Sequence, residues 1–193
     1  MDSSGLSRTQ FLRLALLVQG GVVLLSLLAM WLLHIPWQRV IHWDSRAVGY
    51  GLAAVVPMLG VYYLNPRLRE IALESLGNSL RQLHWYELVG LAALAGFGEE
   101  LLFRGVLYEA LSRWHVGVAV LLSNVAFGAL HSLSLNYFVT TTLIGLFMHG
   151  LAGATGERNL LAAMVAHGVY DLIAFILLIR EGTPTQLGVP DSQ

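Results

Sequence analysis

Apolar residues run along this chain in long blocks separated by short polar breaks. The blocks cover residues 11–35, 47–64, 86–108, 116–132, 137–156 and 159–179. Roughly 20 mainly apolar residues, each rising about 1.5 Å in a helix, span the hydrocarbon core of a bilayer. The pattern therefore predicts an all-α, polytopic transmembrane bundle of about six membrane helices. The second and fourth blocks are short. Pro36 punctuates the end of the first and Asn65-Pro66 the end of the second. The first block is too long for the core of a signal peptide and ends in Trp31, His34 and Trp37, which read as anchors at the membrane–water interface. It is expected to be a retained helix.

Between the second and third blocks the pattern changes. Arg67, Arg69, Glu70, Glu74 and Arg81 alternate with Leu68, Ile71, Leu73, Leu76 and Leu80. That is the amphipathic pattern of a helix lying along a membrane surface, so residues 67–83 are expected to form an interfacial helix. The tail after Arg180 carries Gly182, Pro184, Gly188 and Pro190 and is expected to be poorly ordered.

Composition agrees. Of 193 residues, 56% are hydrophobic and 12% charged, against about 25% charged for a soluble domain. The mean hydropathy is +0.65. A net charge of −1 offers no nucleic-acid footprint. With no cysteine, a disulfide framework, a thiolate metal site and a cysteine nucleophile are excluded. All eleven basic residues are Arg. In a six-span topology Arg8, Arg13, Arg67, Arg69, Arg81 and Arg180 fall on the N-terminal side. Arg39, Arg46, Arg113 and Arg158 fall on the other, a weak preference for a cytoplasmic N-terminus. The expected setting is a multi-pass protein of a bacterial plasma membrane.

Ionisable groups within a bilayer are costly and usually face the bundle interior, where they work. Three stretches concentrate them. In Gly98-Glu99-Glu100-Leu101-Leu102-Phe103-Arg104, Glu100 and Arg104 stand four apart on one helical face. Glu99 points about 100° away, free for chemistry. The second stretch, Phe127-Gly128-Ala129-Leu130-His131, follows Ser123 and Asn124. The third, His167-Gly168-Val169-Tyr170-Asp171, puts His167 and Asp171 on one face near the middle of a block. A carboxylate near an imidazole can deprotonate water as a general base, and a second imidazole with a hydrogen-bonding partner can stabilise an oxyanion. Alternatively, a carboxylate and two histidines can hold a catalytic zinc with an open position. Both routes lead to peptide hydrolysis in a cavity shielded from lipid.

These motifs resemble those of the CPBP (CAAX protease and bacteriocin-processing) family of intramembrane peptidases, which includes the type 2 CAAX prenyl endopeptidases. The family pattern is Glu-Glu-x-x-x-Arg, then Phe-x-x-x-His, then His-x-x-x-Asn or Asp. Here it stands as Glu99-Glu100 to Arg104, Phe127 to His131, and His167 to Asp171, within about residues 90–175. Phe103-Arg104-Gly105-Val106-Leu107, Gly145-Leu146 and Thr155-Gly156 fall in the familiar context. The resemblance implies that Glu99 and His131 position the attacking water and that His167 and Asp171 assist at the oxyanion. Glu100 and Arg104 would be the supporting pair. Two departures stand out. Ala163 replaces a common Pro, and Asp171 replaces the commoner Asn, so Asp171 must be protonated, paired, or an orienting partner for His167. His149 is read as structural.

The chain thus reads as one integral membrane domain over 1–193, with N-terminal membrane and interfacial helices over 11–85 and a peptidase core over 86–180. The expected partners are the lipid bilayer and a membrane-associated peptide or protein substrate. No cofactor is assigned. Zinc would need Glu99, His131 and His167 together, and the metal-free glutamate route is preferred. The competing readings are a catalytically silent immunity or scaffold protein and a proton-coupled transporter. Retention of Glu99, His131 and His167 weighs against the first, and small size without an inverted repeat against the second. Oligomeric state is left open.

Overall fold

The computed structural model describes residues 6–182, and these are helical with no strand. The helices are α1 (Arg8–Leu32), α2 (Trp37–Val40), α3 (Ser45–Leu64), α4 (Pro66–Leu80), α5 (Trp85–Glu100), α6 (Tyr108–Ser112), α7 (Val116–Leu130), α8 (Leu135–Leu151) and α9 (Leu161–Glu181). A π-helical segment, Leu101–Leu107, joins α5 to α6 without a break. All six apolar blocks are therefore helical, and the amphipathic stretch is α4. The tail beyond residue 182 lies outside the described residues.

Local chemistry sets the boundaries. Ser7 and Gln10 form a capping box at the start of α1. Asp44 caps α3 by accepting from the Arg46 N–H, and Asn65 caps α4 by accepting from the Leu68 N–H, with Pro66 opening the helix. Ser134 caps α8. The fifth apolar block extends to residue 156 in sequence, but α8 ends at Leu151. The chain then turns through Gly156 at φ +95°, a left-handed conformation natural to glycine. Apolar composition alone does not distinguish this stretch of small residues from a helix.

Three of the described helices, α1, α3 and α9, are long and apolar enough to cross a membrane; α7 and α8 are shorter apolar helices. Only 11% of the apolar window of α1 is buried within the bundle, leaving most of its surface for lipid. Trp31, Trp37, Trp43, Trp85 and Trp114 are all exposed at helix ends or in connectors, consistent with interface anchoring. Polar contacts tie each end of the bundle. At one end Arg8 Nε donates to Glu87 at 3.0 Å and Arg69 pairs with Glu181 at 3.3 Å. At the other, Arg158 Nε donates to Glu109 at 2.8 Å and Asn159 Nδ2 to the His42 carbonyl at 2.8 Å.

The centre of the bundle is α9, packed along α3 and α5. Close approach to α5 depends on the absence of a side chain. A Cβ on Gly96 would lie 2.6 Å from the Gly168 nitrogen and 2.8 Å from its Cα. Glycine here lets two backbones meet, as small residues do between membrane helices. Because this seam sets the separation of the first and third motifs, Gly96→Ala should lower the melting temperature in detergent, an overpacking cost of about 1–3 kcal/mol. Gly60→Ala, where a Cβ meets nothing within 4 Å, should leave it nearly unchanged. Equal melting of the two variants would contradict this packing.

Candidate active site

The site begins with a buried cation. Arg104 sits in the π-helical segment with its side chain fully buried, as is that of Glu100. Its Nη1 donates to Glu100 Oε1 at 3.0 Å, so the pair expected from the four-residue spacing forms. Nη2 donates to Asn124 Oδ1 on α7 and to the Gly145 carbonyl on α8, both at 3.0 Å. The guanidinium carbon lies 4.4 Å from the centre of the Phe127 ring, a cation–π contact. Gly145 is needed for this fit, since a Cβ there would come within 2.9 Å of Arg104 Nη2. One guanidinium thus joins three helical elements through a single set of acceptors.

The imidazoles are oriented from this centre. Glu100 Oε1 also meets His167 Nδ1 at 3.0 Å. A carboxylate paired with Arg accepts, so Nδ1–H donates and the ring presents Nε2 to the other side. There His167 Nε2 is 3.9 Å from Glu99 Oε2 and 3.5 Å from Asp171 Oδ2. His131, at the C-terminal end of α7, is fixed similarly. Its Nδ1 meets the Phe127 carbonyl at 2.8 Å. A carbonyl only accepts, so Nδ1 carries the hydrogen and Nε2 is the ring nitrogen turned toward the cavity. That Nε2 lies 3.5 Å from Glu99 Oε2.

Glu99 is therefore the meeting point. Its Oε1 accepts from Gln19 Nε2 at 2.7 Å. Its Oε2 is buried, has no hydrogen-bond partner, and faces both imidazole Nε2 atoms. All six residues singled out by sequence come together: Glu99, His131, His167 and Asp171 on the wall of one cavity, Glu100 and Arg104 packed behind them. The cavity has a volume of about 350 Å³, and its remaining lining is largely apolar, mostly from α1, α4, α5 and α9, with Tyr62 of α3 and Tyr137 of α8. That size and character suit a ligand site. His149 lies apart from the cavity lining, its ring edge-on to Tyr108 at 4.6 Å.

Three contributors to the site are not apparent from sequence. Asn124 stands close to the second motif, but nothing in its spacing marks its amide oxygen as an Arg104 acceptor. Gln19 is a lone amide in an apolar block, and the cost of burying such a group is the signal that could have found it. The π-helical turn has no clear sequence signature; such segments often accompany functional sites. Among the described residues, no group of three His, Asp or Glu side chains is arranged to hold a metal ion.

Fold and cavity together define an integral membrane protein with a carboxylate–imidazole centre enclosed by its helices. Residues 81–173 match the family model described as Type II CAAX prenyl endopeptidase Rce1-like, a span that contains all three motifs. The match bears out the resemblance read from those motifs, begins in the connector between α4 and α5, and leaves α1 to α4 wholly outside it. No curated protein and no solved structure gave a match.

Removing Arg104 would strand a buried carboxylate and two further acceptors. Breaking a buried pair from one side costs about 3–5 kcal/mol. Arg104→Ala should therefore lower the melting temperature in detergent far more than Glu99→Ala does. Equal stability of the two variants would contradict the central role of the guanidinium.

Proposed function

We propose that the protein is an intramembrane endopeptidase that hydrolyses a peptide bond in a membrane-associated protein or peptide through a water activated by Glu99 and His131. The observation that carries this reading is the buried, unpartnered Glu99 Oε2 facing two imidazoles on a cavity wall. The family match supports the peptidase class.

In this mechanism a water lies between Glu99 Oε2 and His131 Nε2, both acceptors. As its oxygen attacks the scissile carbonyl carbon, Glu99 takes one of its protons. The carbonyl oxygen becomes an oxyanion beside His167, which, protonated at Nε2, donates a hydrogen bond to it. Asp171 orients that ring, consistent with the 3.5 Å separation. The tetrahedral intermediate then collapses, the C–N bond breaks, and the proton held by Glu99 passes to the leaving nitrogen. One carboxylic acid and one amine result, with Glu99 regenerated. Glu100 and Arg104 keep His167 Nδ1 occupied, and the helices around them limit competing solvent.

Glu99→Ala should abolish cleavage while membrane insertion and melting temperature change little. Quantitative mass spectrometry of membranes holding wild-type or Glu99→Ala protein should reveal peptides whose appearance requires the carboxylate. Identical peptide profiles would overturn the mechanism. The rate should fall on the acid side of the pH profile as the base becomes protonated. Activity should also survive a strong chelator in protein that elemental analysis finds free of metal. Loss of activity together with one equivalent of zinc would replace this route with a metal-dependent one.

A further inference from the structure

The three motifs of the site all lie within residues 81–173, yet one side chain reaches it from α1. Gln19 lines the same cavity, and its Nε2 donates to Glu99 Oε1 at 2.7 Å. This bond satisfies only the nitrogen end of an amide in an apolar helix, since Gln19 Oε1 is buried without a partner. The first motif permits the approach. A Cβ on Gly98 would lie 2.9 Å from Val23 Cγ2 and 3.6 Å from the Gln19 carbonyl oxygen, so the glycine beside Glu99 lets α1 come close.

We propose that Gln19 is a positioning residue for Glu99, an inference that rests on the peptidase reading above. The terminal torsion of a Glu side chain is broad and roughly two-fold, so an untethered carboxylate rotates freely. Both imidazole Nε2 atoms face the same carboxylate oxygen, Oε2. By holding Oε1, Gln19 keeps Oε2 aimed at the place where the water must lie. The N-terminal helix thereby completes a site whose motifs all lie on later helices. Loss of the tether should reduce the fraction of time spent in reactive geometry and leave substrate binding largely intact.

The test is Gln19→Leu, which has similar bulk and suits an apolar helix. Infrared difference spectra of purified protein, with the Glu99 carboxylate band assigned by its loss in Glu99→Gln, read the tether without substrate. Kinetics use an internally quenched peptide spanning a bond whose cleavage requires Glu99 in the membrane comparison above. The expected result is a shifted band and a kcat lower by on the order of 10–100-fold, with KM and melting temperature little changed. Wild-type kcat or an unmoved band in folded Gln19→Leu protein overturns the inference. Wild-type cleavage by Glu99→Gln instead overturns the peptidase reading itself. If Gln19→Leu does not fold, Gly98→Val takes its place, because its side chain drives Val23, and α1 with it, away from Glu99. The same shifted band and lower kcat are then expected, and wild-type kcat or an unmoved band again overturns the inference.

Discussion

A guanidinium in a low-dielectric interior must have its N–H groups satisfied by acceptors brought to it, since water is scarce there. Arg104 recruits those acceptors from Glu100 on α5, Asn124 on α7 and a bare carbonyl at Gly145 on α8. Each acceptor belongs to a different helix, so satisfying one cation sets the mutual position of all three. Glu100 passes the constraint to α9 by holding His167 Nδ1. Arg104 Nε and Glu100 Oε2 stay buried without partners, and the cavity face of the site, Glu99 Oε2 with the two Nε2 atoms, lies beside this buried network.

The division of labour between adjacent carboxylates follows from the same geometry. Glu100 is fully buried and engaged by both a cation and an imidazole. Each carboxylate keeps one buried oxygen without a partner, but only Glu99 turns toward the cavity, with that oxygen facing both imidazole Nε2 atoms. Two chemically identical side chains, one residue apart, are thus set to separate ends: one stabilises the scaffold and the other faces the space where the proposed chemistry takes place.

Much of this is legible in sequence because membrane proteins obey strong local rules. Long apolar blocks reveal the helices, and the expense of ionisable groups among apolar neighbours reveals the three motifs. The helical repeat pairs Glu100 with Arg104 and His167 with Asp171, spacings that the structure reproduces. What stays hidden depends on tertiary proximity. Gln19 and Glu99 are 80 residues apart, and no local periodicity relates them. The Gly145 carbonyl carries no side-chain signal at all. The end of α8 at Leu151 is invisible in sequence because the connector after it is built from the same small residues that helices tolerate.

The shortness of α7 and α8 has a consequence for the surrounding lipid. At about 1.5 Å per residue, their 15 and 17 residues extend only ~22 and ~25 Å, below the ~30 Å of an average hydrocarbon core. The two helices pack against each other and so form one short flank, while α1 is a full 25 residues long. A hydrophobic stretch shorter than the hydrocarbon core is accommodated by thinning of the bilayer, by snorkelling of flanking residues or by oligomerisation. His131 closes the end of α7. The imidazole that faces Glu99 thus stands at the end of the shorter of these two helices, where a thinner leaflet would bring the membrane surface nearest to the cavity.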